Sequence, residues 1–340
     1  YQYKHGTTVA GFVAARTAET GTNPEPNGNL ASIGFNTKMI GYQNSGMARV
    51  LHASTVMGVD VINCSWMNIG SMSPELDSTY NKIISEVLNN GTVIVAAAGN
   101  GFCSTWYNND KTWSICDSVP PDFSYFSAPY PFNPKYDSTI ILVTSTDSLD
   151  NHTLFGDTLV NRTHSHFPEV DICSPGHILM GASLTYYVDP TSEDTVKSPW
   201  PYYGSYSGTS FATPIVSGVC ALIKSINPCL TPGQVEEIIK LTADPVNDEY
   251  LYPGQLGAGR INAYHAVQYA QDNYGYDEYI IGNGQDITWT TEHRAKRIVI
   301  NIGGKLTIKS NVYMLPGSDI IIERGGELII DEGIITTCKG

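Results

Sequence analysis

A chain of 340 residues with 41% hydrophobic and 15% charged side chains has an ordinary globular composition, which excludes a disordered polymer. Nineteen Lys and Arg against 33 Asp and Glu give a formal charge of -14, so no nucleic-acid partner is expected. No uncharged apolar run of about 18 residues occurs, so no transmembrane segment is expected either.

In chain order, HGTTVAGFVAART (5–17) reads as a helix with Val9 and Val13 on one face. KMIGYQ (38–43) is a short strand candidate, and VDVINCS (59–65) is an apolar strand ending in polar residues. The amphipathic stretch MSPELDSTYNKIISEVLNN (72–90) predicts a helix stopped by Gly91. TVIVAAAGN (92–100), TIILVTSTD (139–147) and VDICSPG (170–176) are apolar strands of the kind that helices cover on both faces. Helices are expected over 212–226, with Pro214 in the first turn, and over 231–243. The Gly/Asn/Tyr-rich stretches 101–135 and 180–207 are expected as surface loops rimming a site. Alternating strands and helices imply an α/β fold with a doubly wound, mostly parallel sheet. Its functional residues belong at carboxyl ends of strands and amino ends of helices.

The tail differs. GGKLTI (303–308) and GGELII (325–330) recur at a spacing of 22, which fits a small all-β region of solenoid-like coils, with a β-sandwich or hairpin cap as alternatives. The expected domains are 1–272 and 273–340. Of seven cysteines, Cys64, Cys173 and Cys220 lie in apolar runs and read as buried thiols. Cys103 and Cys116 flank a polar segment and fit a bridged loop in an oxidising compartment. His164 and His166 read as solvated loop residues rather than a metal pair, Asp171 as a core or turn residue, and Arg260 as a surface ion-pair partner.

Three small polar clusters carry the chemistry: His5-Gly6-Thr7, Asn100 after its strand, and Gly208-Thr209-Ser210 opening a helix. Singly, each has a bland explanation as a surface residue, a turn former or an N-cap. Together they fit nucleophilic catalysis. Ser210 stands where helix amides favour developing negative charge, and a histidine beside it takes the hydroxyl proton and returns it to the leaving amine. Asn100 and the Ser210 backbone N–H then supply donors to a tetrahedral oxyanion. Gly208 and Ala212 are small enough to let a substrate backbone approach.

HGTTVAG, AAAGN and GTSFATP resemble the three signature segments of the subtilisin-like serine proteases (subtilases), in that family's order. VDVINCSW, VDICSPG and GAGRINAYHAV (257–267) resemble its substrate-edge strand, a sheet segment and its closing helix, over about residues 1–270. The resemblance implies a subtilisin-like fold, with His5 as general base, Ser210 as nucleophile and Asn100 in the oxyanion hole. It implies substrate contacts from Ser65, Trp66, Met67, Ala98, Gly99, Gly208 and Thr209. A secreted or cell-envelope serine endopeptidase is expected, acting on extended polypeptides. The chemistry requires no cofactor. Structural calcium is a family habit, for which Asn108–Asp110 offers oxygen ligands. The C-terminal region is expected to serve surface association.

Two departures stand out. Met67 replaces a usual glycine and is expected to narrow the pocket ahead of the scissile bond. The family's triad aspartate, carried on a strand before the histidine, has no match; Asp60, Asp137, Asp147 and Asp171 all follow His5. The preceding segment is expected in the parent protein, or else neighbouring elements or another chain in its place. The alternative reading is a catalytically inactive subtilase-fold protein acting as a peptide-binding or surface-associated structural module.

Overall fold

The computed structural model describes residues 2–14, 32–34, 36–42, 46–66, 74–100, 106–108, 111–113, 139–155, 162–164, 166, 168–182, 186–188, 195–197 and 203–337. The chain divides into two compact units, one of Tyr1–Leu222 with Thr231–Ala266 and one of Ile223–Leu230 with Val267–Gly340.

The first unit is built on four parallel strands: β1 (Val61–Cys64), β2 (Val93–Ala97), β3 (Ile141–Thr146) and β4 (Ile172–Pro175), in that spatial order. β2 and β3 are buried along their whole length, which is why they read as continuous apolar runs rather than alternating ones. Successive side chains still point to opposite faces. Ile94, Ala96 and Ala98 pack with Leu142 against Met47 and Val50 of α2 (Met47–Thr55) and Ile84 and Val87 of α3 (Pro74–Asn89). α4 (Thr209–Ile226) is a core helix that buries Ala212, Val216, Val219 and Cys220. By length and composition alone α4 is able to cross a membrane, yet 67% of it is buried inside the protein. α5 (Pro232–Leu241) opens on a capping box, Thr231 and Gln234 each bonding the other's backbone N–H.

Several expectations need correction. Residues 38–42 form no strand; Met39 and Ile40 stand half-exposed, with no sheet against them among the described residues. The first helix, α1 (Gln2–Ala14), begins ahead of His5. α4 begins at Thr209, because the amides of Phe211 and Ala212 already bond to the Gly208 carbonyl at 2.9 and 3.3 Å. Pro214 therefore falls beyond the first turn, and it cannot donate a helical hydrogen bond to the Ser210 carbonyl. The closing helix, α6 (Ala263–Tyr274), starts later than GAGRIN suggests; residues 257–261 bond instead to the strand region and to Asp244. The stretch 180–207 is not simply loop. It contributes β5 (Leu179–Ala182) and β6 (Tyr203–Tyr206), an antiparallel pair, and a second pair from Tyr186–Val188 and Thr195–Lys197.

Asp171 is a structural residue. Its carboxylate accepts from the Leu142 amide at 2.8 Å and from Lys240 at 2.9 Å, and Lys240 also meets Glu236 at 3.0 Å. Arg260 forms ion pairs with Asp150 at 2.8 Å and Asp244 at 2.7 Å. Cys64, Cys173 and Cys220 are buried free thiols, whereas Cys103 and Cys116 lie outside the described residues. Cys229 is disulfide-bonded, its partner also outside them.

His164 and His166 are buried, not solvated. His166 forms a ring cluster with His152 and Tyr252, at 5.1 Å for His152–His166 and 4.6 Å for His166–Tyr252, while the His164 backbone carbonyl faces the His152 ring nitrogen Nε2 at 2.9 Å. Polar THSH gave no apolar period, so burial here was invisible to patterning.

The second unit carries β7 (Asp277–Ile281), β8 (Asp286–Trp289), β9 (His293–Ile300), β10 (Lys305–Ile308), β11 (Asn311–Ile322), β12 (Glu327–Ile330) and β13 (Ile334–Thr336). They form two parallel sheets, β7-β9-β11-β13 and β8-β10-β12, between which the chain alternates. The repeat noted at 303 and 325 is a strand pair in register, Lys305 opposite Glu327 and Ile308 opposite Ile330.

Candidate active site

The carboxyl end of β2 and the amino end of α4 meet. Gly99 follows the strand with φ at +105°, and Asn100 comes next. The side-chain oxygen of Asn100 accepts the Thr209 backbone N–H at 2.8 Å and the Thr209 hydroxyl at 3.0 Å. That hydroxyl in turn accepts the Gly99 N–H at 3.2 Å. Thr209 thus clamps Asn100 by its carbonyl end, so the amide nitrogen is the end left to act as donor. It lies at the N-terminal turn of α4, the end where amides favour negative charge.

Gly208 sets this geometry. Its φ is +148°, and a Cβ built there meets the Asn100 nitrogen at 3.2 Å. The Gly208 N–H is held by the Gly176 carbonyl at 2.8 Å, which ties the turn to the end of β4. Ser210, one residue beyond Thr209, is half-exposed, whereas Thr209 is fully buried.

His5 reaches this turn from α1. Its ring centroid is 5.3 Å from that of Phe211, the residue after Ser210. Among the described residues no hydrogen bond joins His5 to Ser210; apo sites commonly hold such pairs loosely. Burial lowers the His5 pKa from its ordinary value, which favours the neutral form that a general base needs. α1 is docked by close approach. A Cβ built on Gly181 of β5 meets Thr8 Cγ2 at 2.7 Å and Phe12 Cζ at 2.9 Å. Gly181→Ala is therefore expected to push α1, and His5 with it, away from the site. The overpacking costs about 1–3 kcal/mol, read as a lowered thermal midpoint together with a lowered turnover.

Ser65 is 6% exposed; Asn63 donates to its hydroxyl at 2.9 Å, and the Ser217 hydroxyl of α4 donates to Asn63 at 3.0 Å. Trp66 packs against the apolar cluster of the first unit, and Ala98 is fully buried. Met67 lies outside the described residues, so its expected effect on a pocket does too. The structure therefore brings Asn100, Gly208, Thr209 and Ser210 to one turn, with His5 meeting it through Phe211. Sequence reasoning missed Asn63 and Phe211. Asn63 is an amide inside an otherwise apolar strand, and that oddity was its available signal.

Among the described residues no group of three or more His, Cys, Asp or Glu is arranged to hold a metal ion. Asn109 and Asp110 of the calcium candidate lie outside them. No step below runs through a metal.

A model of the subtilase family matches residues 1–278. Subtilisin DY of Bacillus licheniformis is 31% identical over 269 residues, covering 78% of this chain and 77% of that protein. An extracellular protease of Xanthomonas campestris is 28% identical, covering 77% of this chain but 40% of its own length, so the chain spans less than half of that relative. Among solved structures, a protease from Pseudoalteromonas arctica superposes with a TM-score of 0.53 at 26% identity, covering 78% of this chain and 70% of that one.

Proposed function

This chain belongs to the subtilase family, with its α/β fold and mostly parallel sheet, and on that premise we propose that it is a serine endopeptidase. Ser210 attacks the scissile carbonyl while His5 takes its proton. The tetrahedral oxyanion is held by the Asn100 side-chain N–H and the Ser210 backbone N–H. Collapse expels the amine, which His5 protonates, and leaves an acyl-enzyme on Ser210; water activated by His5 then releases the acid. An extended polypeptide lies along Ser65–Met67, close to Gly208.

One observation carries this reading: the Thr209 clamp on Asn100. It consumes the amide's acceptor and presets the donor, so that no reorganisation is needed when charge develops.

The boundary between residues 272 and 273 and the solenoid character of the tail belong to the same proposal. The solenoid character is supported by the alternation of the chain between two parallel sheets and by register offsets such as Asp286 opposite Lys305 and Lys305 opposite Glu327. Secretion is supported by the disulfide at Cys229 and by the extracellular Xanthomonas relative. Association with a cell envelope through the tail is the remaining part of the reading.

The test is labelling of the longest available form of the protein with a fluorophosphonate, followed by mass-spectrometric mapping. The expected adduct is on the Ser210 peptide. An unlabelled Ser210 in folded protein overturns the endopeptidase reading in favour of a peptide-binding module.

A further inference from the structure

We propose that Phe211 is a positioning residue for His5, its ring acting as the spacer that fixes the distance between the base on α1 and the nucleophile's turn on α4. The inference rests on the endopeptidase reading for its kinetic consequences, but the contact itself is a matter of packing.

Four rings from three elements meet at this point. Phe211 is 8% exposed and faces His5 at 5.3 Å, tilted by 51°. It meets Phe12 edge-on at 6.1 Å and Tyr206 of β6 at 5.2 Å. His5 and Phe12 are seven residues apart on α1, two helical turns along one face, so a single Phe211 ring sits against both ends of that stripe. On its other flank, β6 pairs with β5, the strand on which α1 docks at Gly181. α1 therefore has two supports: the Gly181 contact sets how closely it approaches β5, and the Phe211 ring sets where its His5 end lies relative to Ser210.

A side chain that follows the nucleophile directly in sequence and packs tilted against the base has a geometric consequence. Any shift of the Phe211 ring moves His5 relative to Ser210, and displacements near 1 Å in such sites cost about 10²-fold in rate. The ring also removes water from one face of the imidazole, consistent with the lowered His5 pKa. Aromatic pairs at these separations are favourable beyond their buried area, so the arrangement is held rather than merely allowed.

The experiment compares Phe211→Ala and Phe211→Leu with the parent protein. Phe211→Ala is expected to lower kcat about 10²-fold with KM little changed, and to move the acid limb of kcat/KM to higher pH as water reaches His5. Phe211→Leu, which refills most of the space, recovers most of the rate. An NMR titration of the His5 ring reads the same contact without catalysis, and its midpoint rises in Phe211→Ala. Circular dichroism and thermal midpoints confirm that both variants fold. Unchanged kcat and an unmoved His5 titration in folded Phe211→Ala overturn the proposal. So does an equal loss in both variants with the titration unmoved, which marks general packing. If the parent protein itself is not labelled at Ser210, the endopeptidase reading fails while the titration still judges the contact.

Discussion

Ser210→Ala is expected to lower kcat for peptide hydrolysis on the order of 10⁶-fold, the scale on which loss of the nucleophile acts in a subtilisin. KM and thermal midpoint are expected to stay close to the parent values, because Ser210 is half-exposed and the turn is held by other groups. Those groups are the Gly208 N–H on Gly176 and Thr209 on Asn100. Asn100→Ala differs in kind. It removes the proposed oxyanion donor, which costs about 10²–10³-fold in kcat by the same family's example. It also strips the buried Thr209 N–H of its acceptor, a loss of about 1–3 kcal/mol. Steady-state kinetics and thermal melts together separate the two: Ser210→Ala is a kinetic loss alone, and Asn100→Ala loses both. A Ser210→Ala protein that still hydrolyses peptides above a 10³-fold reduction removes Ser210 as nucleophile.

The second large effect is expected in acid. His152 and His164 are buried, and their pKa values are pushed down to about 4 and about 3. Desolvation is the main cause, with repulsion from His166 on His152, and from His152 and His177 on His164. Against this, two carbonyl oxygens face the ring nitrogens of His152, that of Ser145 at 3.2 Å and that of His164 at 2.9 Å. Asp248 accepts the His152 backbone N–H at 2.7 Å. The unfolded chain takes up these protons near pH 6.5 and the folded one only near 4 for His152 and near 3 for His164, so the unfolded state binds more protons between those values. Stability contributed above the unfolded pKa is lost as pH falls from about 6.5 towards 4, on the order of 3 kcal/mol for one such histidine.

Glu236 works in the opposite direction. Burial first, and then repulsion from Asp171, raise its pKa to about 7, since the two carboxylates share Lys240. Its folded state holds a proton that the unfolded state releases above about 4.5, so acidification through pH 7 stabilises at this site. The two clusters therefore oppose each other over one pH range. His152→Gln is expected to flatten the fall of the thermal midpoint between pH 6.5 and 4, and Glu236→Gln to steepen it. Equal pH slopes in the parent and both variants would remove the buried clusters as the source of acid sensitivity.

How much of this was readable in advance varies element by element. β2 and β3 were plain, because a strand covered on both faces has to be apolar throughout, and VIVAA and ILVTST are nearly so. The start of α4 was misjudged by three residues. Gly-Thr-Ser carries little helix propensity, and the turn is helical because Gly208 accepts two amides there. KMIGYQ had strand composition but, among the described residues, no neighbouring strand to pair with, and composition cannot supply one. The histidine cluster was read as solvated because polar residues at irregular spacing carry no burial signal.

By itself the sequence determined the α/β alternation, the repeat in the tail, and the three polar clusters that single out His5, Asn100 and Ser210. Those are local properties: apolar period, turn residues and short motifs are set by neighbours along the chain. The tertiary structure alone decided that Thr209 clamps an asparagine 109 residues earlier, and that Phe211 packs against a histidine near the start of the chain. It alone brought His152, His164 and His166 together out of water. Contacts of that kind depend on which elements the parallel sheet sets side by side, and no short-range pattern encodes them.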